Sequence, residues 1–178
     1  MLRYLLAVDG DWQGYHAGTP PDPVLFAAFV AEEFAFLREH CGGKFIHMLH
    51  TSPLARLTML QPPLAALWRT LPAGAALGLH PHEELTGGGH GYGDEQHMAQ
   101  VVGEFVAAAR AQGLALPVFR GGFLAYRSFY TPLLERHGFA ADVSEMPGRH
   151  RVTAGDLISD WRGAPSFAYR LARDDYRR

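Results

Sequence analysis

The sequence predicts an α/β fold, a parallel sheet covered by helices, on three observations. Short apolar segments suited to strands alternate with segments of helical periodicity from one end to the other. Ionisable residues stand where those apolar segments stop. No linker, repeat or low-complexity tract divides the 178 residues, so residues 1–178 read as a single domain.

Leu2 to Val8 is short and apolar and predicts the first strand. After the turn-rich stretch Gly14 to Pro23, Leu25, Phe29 and Phe36 recur at helical spacing. Val24 to His40 therefore reads as a helix, stopped by Gly42 and Gly43. Its phenylalanines, Phe26, Phe29, Phe34 and Phe36, are assigned to helix packing and core. Phe45 to Leu49 predicts the second strand, Pro63 to Thr70 a short helix, and Ala75 to Leu79 the third strand. The glycine-rich loop Thr86 to Gly93 lacks the Lys-Ser/Thr of a phosphate cradle and reads as a flap. A long helix follows from Asp94, its N-cap, to Ala111, with Gly113 as its C′ residue. Leu116 to Phe119 and Phe139 to Val143 are the fourth and fifth strands, Ser128 to His137 a helix between them, and Arg151 to Ile158 a sixth strand weakened by Gly155.

Composition excludes several roles. Sixteen Lys and Arg against eighteen Asp and Glu leave a formal charge of -2, without the basic excess of a nucleic-acid surface. The longest apolar stretch, Val24 to Leu37, contains Glu32 and Glu33, so no segment predicts a membrane span. The N-terminus has no small-residue cleavage site and reads as a strand rather than a signal peptide, which favours the cytoplasm. Cys41 is the single cysteine: it excludes a disulfide framework and has no adjacent base to make it a nucleophile.

The strand ends carry the chemistry. The first ends in Asp9-Gly10-Asp11, the second in His50, the third in His80-Pro81-His82, the fourth in Arg120, the fifth in Asp142 and the sixth in Asp160-Trp161. Reactive groups on successive strand ends are what an α/β barrel uses to build a site on one face. His80 and His82, two apart, leave the backbone on the same side, as do Asp9 and Asp11. Two imidazoles and one carboxylate make an open divalent-metal site, and the second aspartate is then free to take a proton from water. Glu83 and Glu84 are candidates to orient the imidazoles.

These residues, taken as Ala7-Val8-Asp9-Gly10-Asp11-Trp12, Gly78-Leu79-His80-Pro81-His82 and Phe119-Arg120-Gly121-Gly122, resemble the metal-dependent polysaccharide deacetylases of the NodB-homology group. Phe119 to Ser144 is similar to the family's arginine loop, helix and strand ending in Asp-x-Ser, and Asp156 to Trp161 to its later Asp-Trp motif. The resemblance implies a deformed (β/α) barrel that holds one divalent ion, commonly zinc; the missing last motif leaves three alternatives, a barrel incomplete at the C-terminus, an acid from elsewhere, or no acid at all. It implies a hydrolase of carbon–nitrogen bonds that removes acyl groups from an N-acetylated carbohydrate or a related small amide. Asp9 would be the general base and Asp11, His80 and His82 the metal ligands. Arg120 would hold Asp9 ionised, and Asp160 and Trp161 would support the acid side of the pocket.

Three departures accompany the likeness. Gly10 separates the two aspartates, which are usually adjacent, so either could be the base. The histidines are spaced i, i+2 rather than i, i+4. The Leu-x-x-His motif that supplies the family's general acid has no counterpart before Arg178, which leaves His16, His50, His90 and His150 as candidates, with His50 the best placed. An incomplete barrel also leaves a strand edge open to a second copy, hence a homo-oligomer. Two other readings remain: a non-catalytic carbohydrate- or metal-binding descendant, and a metallohydrolase of the amidohydrolase type. Trp12 and Tyr15 are either a sugar platform or packing at the mouth of the barrel.

Overall fold

Five parallel strands lie side by side in chain order: β1 (Ala7–Asp9), β2 (Ile46–Thr51), β3 (Ala76–Pro81), β4 (Val118–Phe119) and β5 (Ala141–Asp142). The computed structural model describes residues 6–12, 18–85, 89–153, 155–166 and 168–177. Every connection between neighbours carries a helix: α1 (Pro23–Cys41), α2 (Pro62–Trp68), α3 (Glu95–Ala111) and α4 (Tyr130–Arg136). Strand order never reverses, so there is no switch point and all strand ends of one sense share one rim. The sheet stays open among the described residues, with β1 and β5 as edges, and no closed barrel forms.

Local chemistry fixes the helices. Asp22 caps α1 by accepting from the Val24 and Leu25 N–H groups at 2.8 and 3.1 Å, Pro23 follows it, and Gly42 ends the helix at φ 58°. Asp94 caps α3 through the His97 N–H, as its position predicts. On α3, Met98, Val101, Val102, Phe105, Val106 and Ala109 keep helical spacing and form the stripe that faces the sheet. The main core joins that stripe to Phe34, Leu49, Trp68, Leu79, Phe119 and Tyr130.

Two expectations change. On α1, Phe26 and Phe34 are buried, but Phe29 and Phe36 are each 59% exposed, beside Leu25. Apolar residues fall on both faces of the helix, so periodicity could not say which face meets the sheet. The sixth strand becomes a separate antiparallel hairpin, β6 (His150–Thr153) with β7 (Asp156–Asp160). Gly155, at φ 89°, reverses the chain in the middle of the expected strand. The hairpin docks on the loop after β4: Arg127 donates to the Ile158 and Leu157 carbonyls, and the Trp161 indole donates to the Leu124 carbonyl at 2.8 Å. Residues 2–5, with Tyr15, His16 and residues 86–88 of the expected flap, lie outside the described residues; Gly91–Gly93 form a single 3₁₀ turn.

Candidate metal centre at the strand ends

The parallel register carries His50 and His80 to adjacent positions on β2 and β3, and Asp9 opposite Met48. Gly10 explains how two aspartates can flank one residue here. Its N–H donates to the Met48 carbonyl at 2.9 Å, and a Cβ would lie 2.7 Å from that oxygen and 3.0 Å from His47 Nε2. The chain therefore presses close to β2 at Gly10, while Asp9 and Asp11 leave from the other side.

Asp11, His80 and His82 come together, with one ligand atom from each lying within 4.8 Å of the others. The Nε2 atoms of the two histidines are 2.9 Å apart, and Asp11 Oδ2 is 4.0 Å from His82 Nε2. Each member is oriented from behind. His80 donates its Nδ1–H to the Arg120 carbonyl at 2.8 Å, and His82 donates its own to Glu84 Oε1 at 3.2 Å. Those bonds fix both tautomers with the Nε2 lone pairs turned toward one another. His50, buried beneath, donates Nδ1–H to Asp11 Oδ1 at 2.6 Å and stacks on His82 with ring centroids 5.1 Å apart.

The electrostatics agree with the geometry. Burial, reinforced by the neighbouring His82, lowers the His80 pKa to about 4, so at neutral pH the ring is an electron-pair donor. Burial alone would raise Asp11, but the His50 hydrogen bond and the surrounding imidazoles overcome it and bring the carboxyl to about 2. Two buried imidazole nitrogens and one carboxylate, each with an outer hydrogen-bond partner, fit a divalent cation of the zinc class.

Asp9 stands beside this group. Its Oδ2 is 3.8 Å from His80 Nε2, and its Oδ1 pairs with Arg120 Nη1 at 3.4 Å. Asp160 is elsewhere engaged. On β7 it is bound by Arg162 at 2.7 and 3.0 Å, with Arg177 at 3.4 Å and His150 at 3.5 Å. The Arg162 hydrogen bonds hold its carboxyl well below the usual carboxylate range, so it has no proton to give near neutral pH. Trp161 is buried against Tyr126 and Tyr176. Trp12 is buried too, edge-on to His50 at 4.6 Å, with its indole donating to the Thr19 carbonyl; it packs the mouth and offers no platform.

Only one of the two glutamates orients a ligand. Glu84 serves His82 and also accepts from the Tyr92 hydroxyl at 2.8 Å. Glu83 is buried in a different network, paired with Arg56 and with His97 at 2.7 Å. Tyr92 and Phe123 were not singled out from the sequence. Phe123 packs edge-on against His82 at 5.3 Å from a left-handed backbone, φ 52°, and Leu124 follows at φ 60°. Each such non-glycine residue costs about 1 kcal/mol or more and persists only where its surroundings impose it.

Two clefts, of about 330 and 420 Å³, open at the opposite ends of the strands around Gly113 to Pro117. No carboxylate lines either, so chemistry rather than volume locates the site. Compared with known proteins, the chain matches no family model, no curated protein and no solved structure. No helix among the described residues is long and apolar enough to cross a membrane.

Proposed function

We propose that this protein is a metal-dependent hydrolase that removes an acyl group from an N-acetylated carbohydrate or a related small amide. The observation that carries the reading is the pair of Nε2 atoms of His80 and His82, 2.9 Å apart and completed by Asp11. Two imidazole nitrogens turned toward one another beside a carboxylate suit a shared cation. Asp11, His80 and His82 would hold a divalent ion, zinc by donor type, and such an ion when bound polarises the scissile carbonyl and acidifies water.

The protein's own groups supply the remaining steps. Asp9 takes a proton from the water that attacks the carbonyl carbon, and Arg120, paired with that carboxyl, holds it in place. The same carboxyl then returns the proton to the leaving nitrogen as the carbon–nitrogen bond breaks, yielding a free acid and an amine. His50 keeps Asp11 ionised and aimed, a holding role rather than the acid's. In this reading the five parallel strands, wound always in one direction, present their ends as a deacetylase-type fold does.

The test is elemental analysis of the purified protein and of the His80→Ala/His82→Ala variant, with acetate release from N-acetylglucosamine oligomers. About one divalent ion per chain, absent from the variant, together with acetate release is the expected result. Failure to take up any metal after reloading refutes the site. Metal without turnover of any acylated substrate leaves a binding descendant in place of the enzyme.

A further inference from the structure

Arg151 lies with its guanidinium carbon 3.7 Å from the centroid of the Phe123 ring, and the same ring packs against His82. One aromatic ring thus separates a cationic side chain from a ligand of the candidate metal centre. The hydrogen bond of Arg151 goes to the Thr153 hydroxyl, and among the described residues no carboxylate pairs with it. Arg149, two residues earlier, donates to the Ser159 hydroxyl and touches the Met146 sulfur, again without a carboxylate. Arg149 donates to Ser159, the residue that lies opposite Arg151 in the hairpin register, so the two arginines share one end of the hairpin.

The contrast within the hairpin is informative. Arg162 and Arg177 converge on Asp160, and Arg127 is spent on backbone carbonyls. The hairpin therefore has a carboxylate available and directs it away from Arg149 and Arg151. Two like charges held together without compensation carry a repulsive cost that an anion relieves. A guanidinium held over an aromatic face can still turn its terminal N–H groups to the carboxylates and phosphates that accept them. The strained Phe123 backbone and the docking of Trp161 and Arg127 keep the ring, and so the arginine, in place.

We propose that Arg151, seconded by Arg149, binds an anionic group of the substrate, a carboxylate or a phosphate, while the amide lies at Asp9 and the His80–His82 centre. This rests on the hydrolase reading and narrows it, since the substrate becomes an acylated sugar or small amide that carries a negative charge. Arg151 is a specificity residue and not a catalytic one, because it reaches no reacting atom.

The experiment compares the zinc-loaded wild type, Arg151→Gln and Arg149→Gln in calorimetric binding and in acetate release. The probes are neutral N-acetylglucosamine, its 6-phosphate, and N-acetylmuramic acid, which bears a carboxylate. Arg173→Gln, at an exposed ion pair with Glu135, is the control for lost surface charge. The expected result is binding of at least one anionic probe tenfold or more tighter than the neutral sugar. Arg151→Gln should collapse that ratio at least tenfold and Arg149→Gln by less, while the control keeps it. Whichever anion is preferred identifies carboxylate or phosphate. Equal affinity for neutral and anionic probes, no binding of either anion, or a ratio untouched by Arg151→Gln overturns the proposal. Turnover without anion preference would leave the hydrolase reading standing, whereas anion preference without turnover of any probe would sink that reading and keep the anion site. Circular dichroism of each variant establishes that it is folded.

Discussion

His80 and His82 face one another nitrogen to nitrogen, with both Nδ1–H groups already given to Arg120 and Glu84. A ligand that enters this gap binds the folded chain and not the unfolded one, so it must raise stability. Zinc at 100 times its dissociation constant should stabilise the protein by about 2.7 kcal/mol. Thermal melts with and without zinc check this, and the His80→Ala/His82→Ala variant should show no such gain.

Glu84 meets the centre through the His82 ring. Glu84→Gln keeps the shape of the side chain but weakens the charge that fixes the imidazole. Zinc affinity, measured by competition with a chromophoric chelator, should fall about 10- to 100-fold with little change in fold.

Asp9 and Asp11 are separable by the same pair of measurements. Asp9→Asn should leave zinc bound and lower kcat by about 10²- to 10⁴-fold, the loss of a positioned proton acceptor. Asp11→Asn should instead weaken metal binding. If Asp9→Asn empties the site while Asp11→Asn keeps it, the two roles are reversed.

Gly122 has no room for a methyl group. A Cβ there would sit 2.5 Å from the Pro81 carbonyl, 2.6 Å from the Tyr92 hydroxyl and 3.0 Å from His82 Cγ. Gly122→Ala should cost about 1–3 kcal/mol in denaturant titration, the ordinary penalty of overpacking. It should weaken zinc as well, since His82 is among the atoms displaced.

The Asp142 carboxyl is withdrawn from water and rises to about 7, although Ser144 donates to it from both its hydroxyl and its N–H. The folded state thus holds a proton that the unfolded chain releases near pH 4. Its contribution to stability is intact below that pH and declines as pH climbs toward 7. Asp142→Asn cannot ionise. Its melting temperature should therefore gain on the wild type steadily between pH 4 and pH 7, and parallel curves would contradict the assignment.

How much of this was legible in the sequence depends on the kind of signal. Asp9, Asp11, His80, His82 and Arg120 stood out because each interrupts an apolar run at the place where a strand must stop, and a sheet wound in chain order sends all such ends to one rim. The pairing of Arg120 with Asp9 was expected from the family resemblance alone, and the two stand 3.4 Å apart. The exposure of Phe29 and Phe36 was not legible, because apolar residues on both faces of α1 give no facing direction. The contact of Arg151 with Phe123 was hidden for another reason. It depends on a hairpin turning at Gly155 and on a left-handed phenylalanine, neither of which leaves a periodic trace.

The corner at Phe123 and Leu124 has a consequence for anyone who would borrow this site. Its backbone is not the one its residues prefer, so its shape is supplied by neighbours distant in sequence: Ser144, whose hydroxyl holds the Gly121 N–H, and Trp161, which holds the Leu124 carbonyl. Grafted alone onto another scaffold, residues 119–125 would relax and lose the ring's aim. The transferable unit is the corner together with the hairpin and the end of β5, a discontinuous module that must travel as a whole.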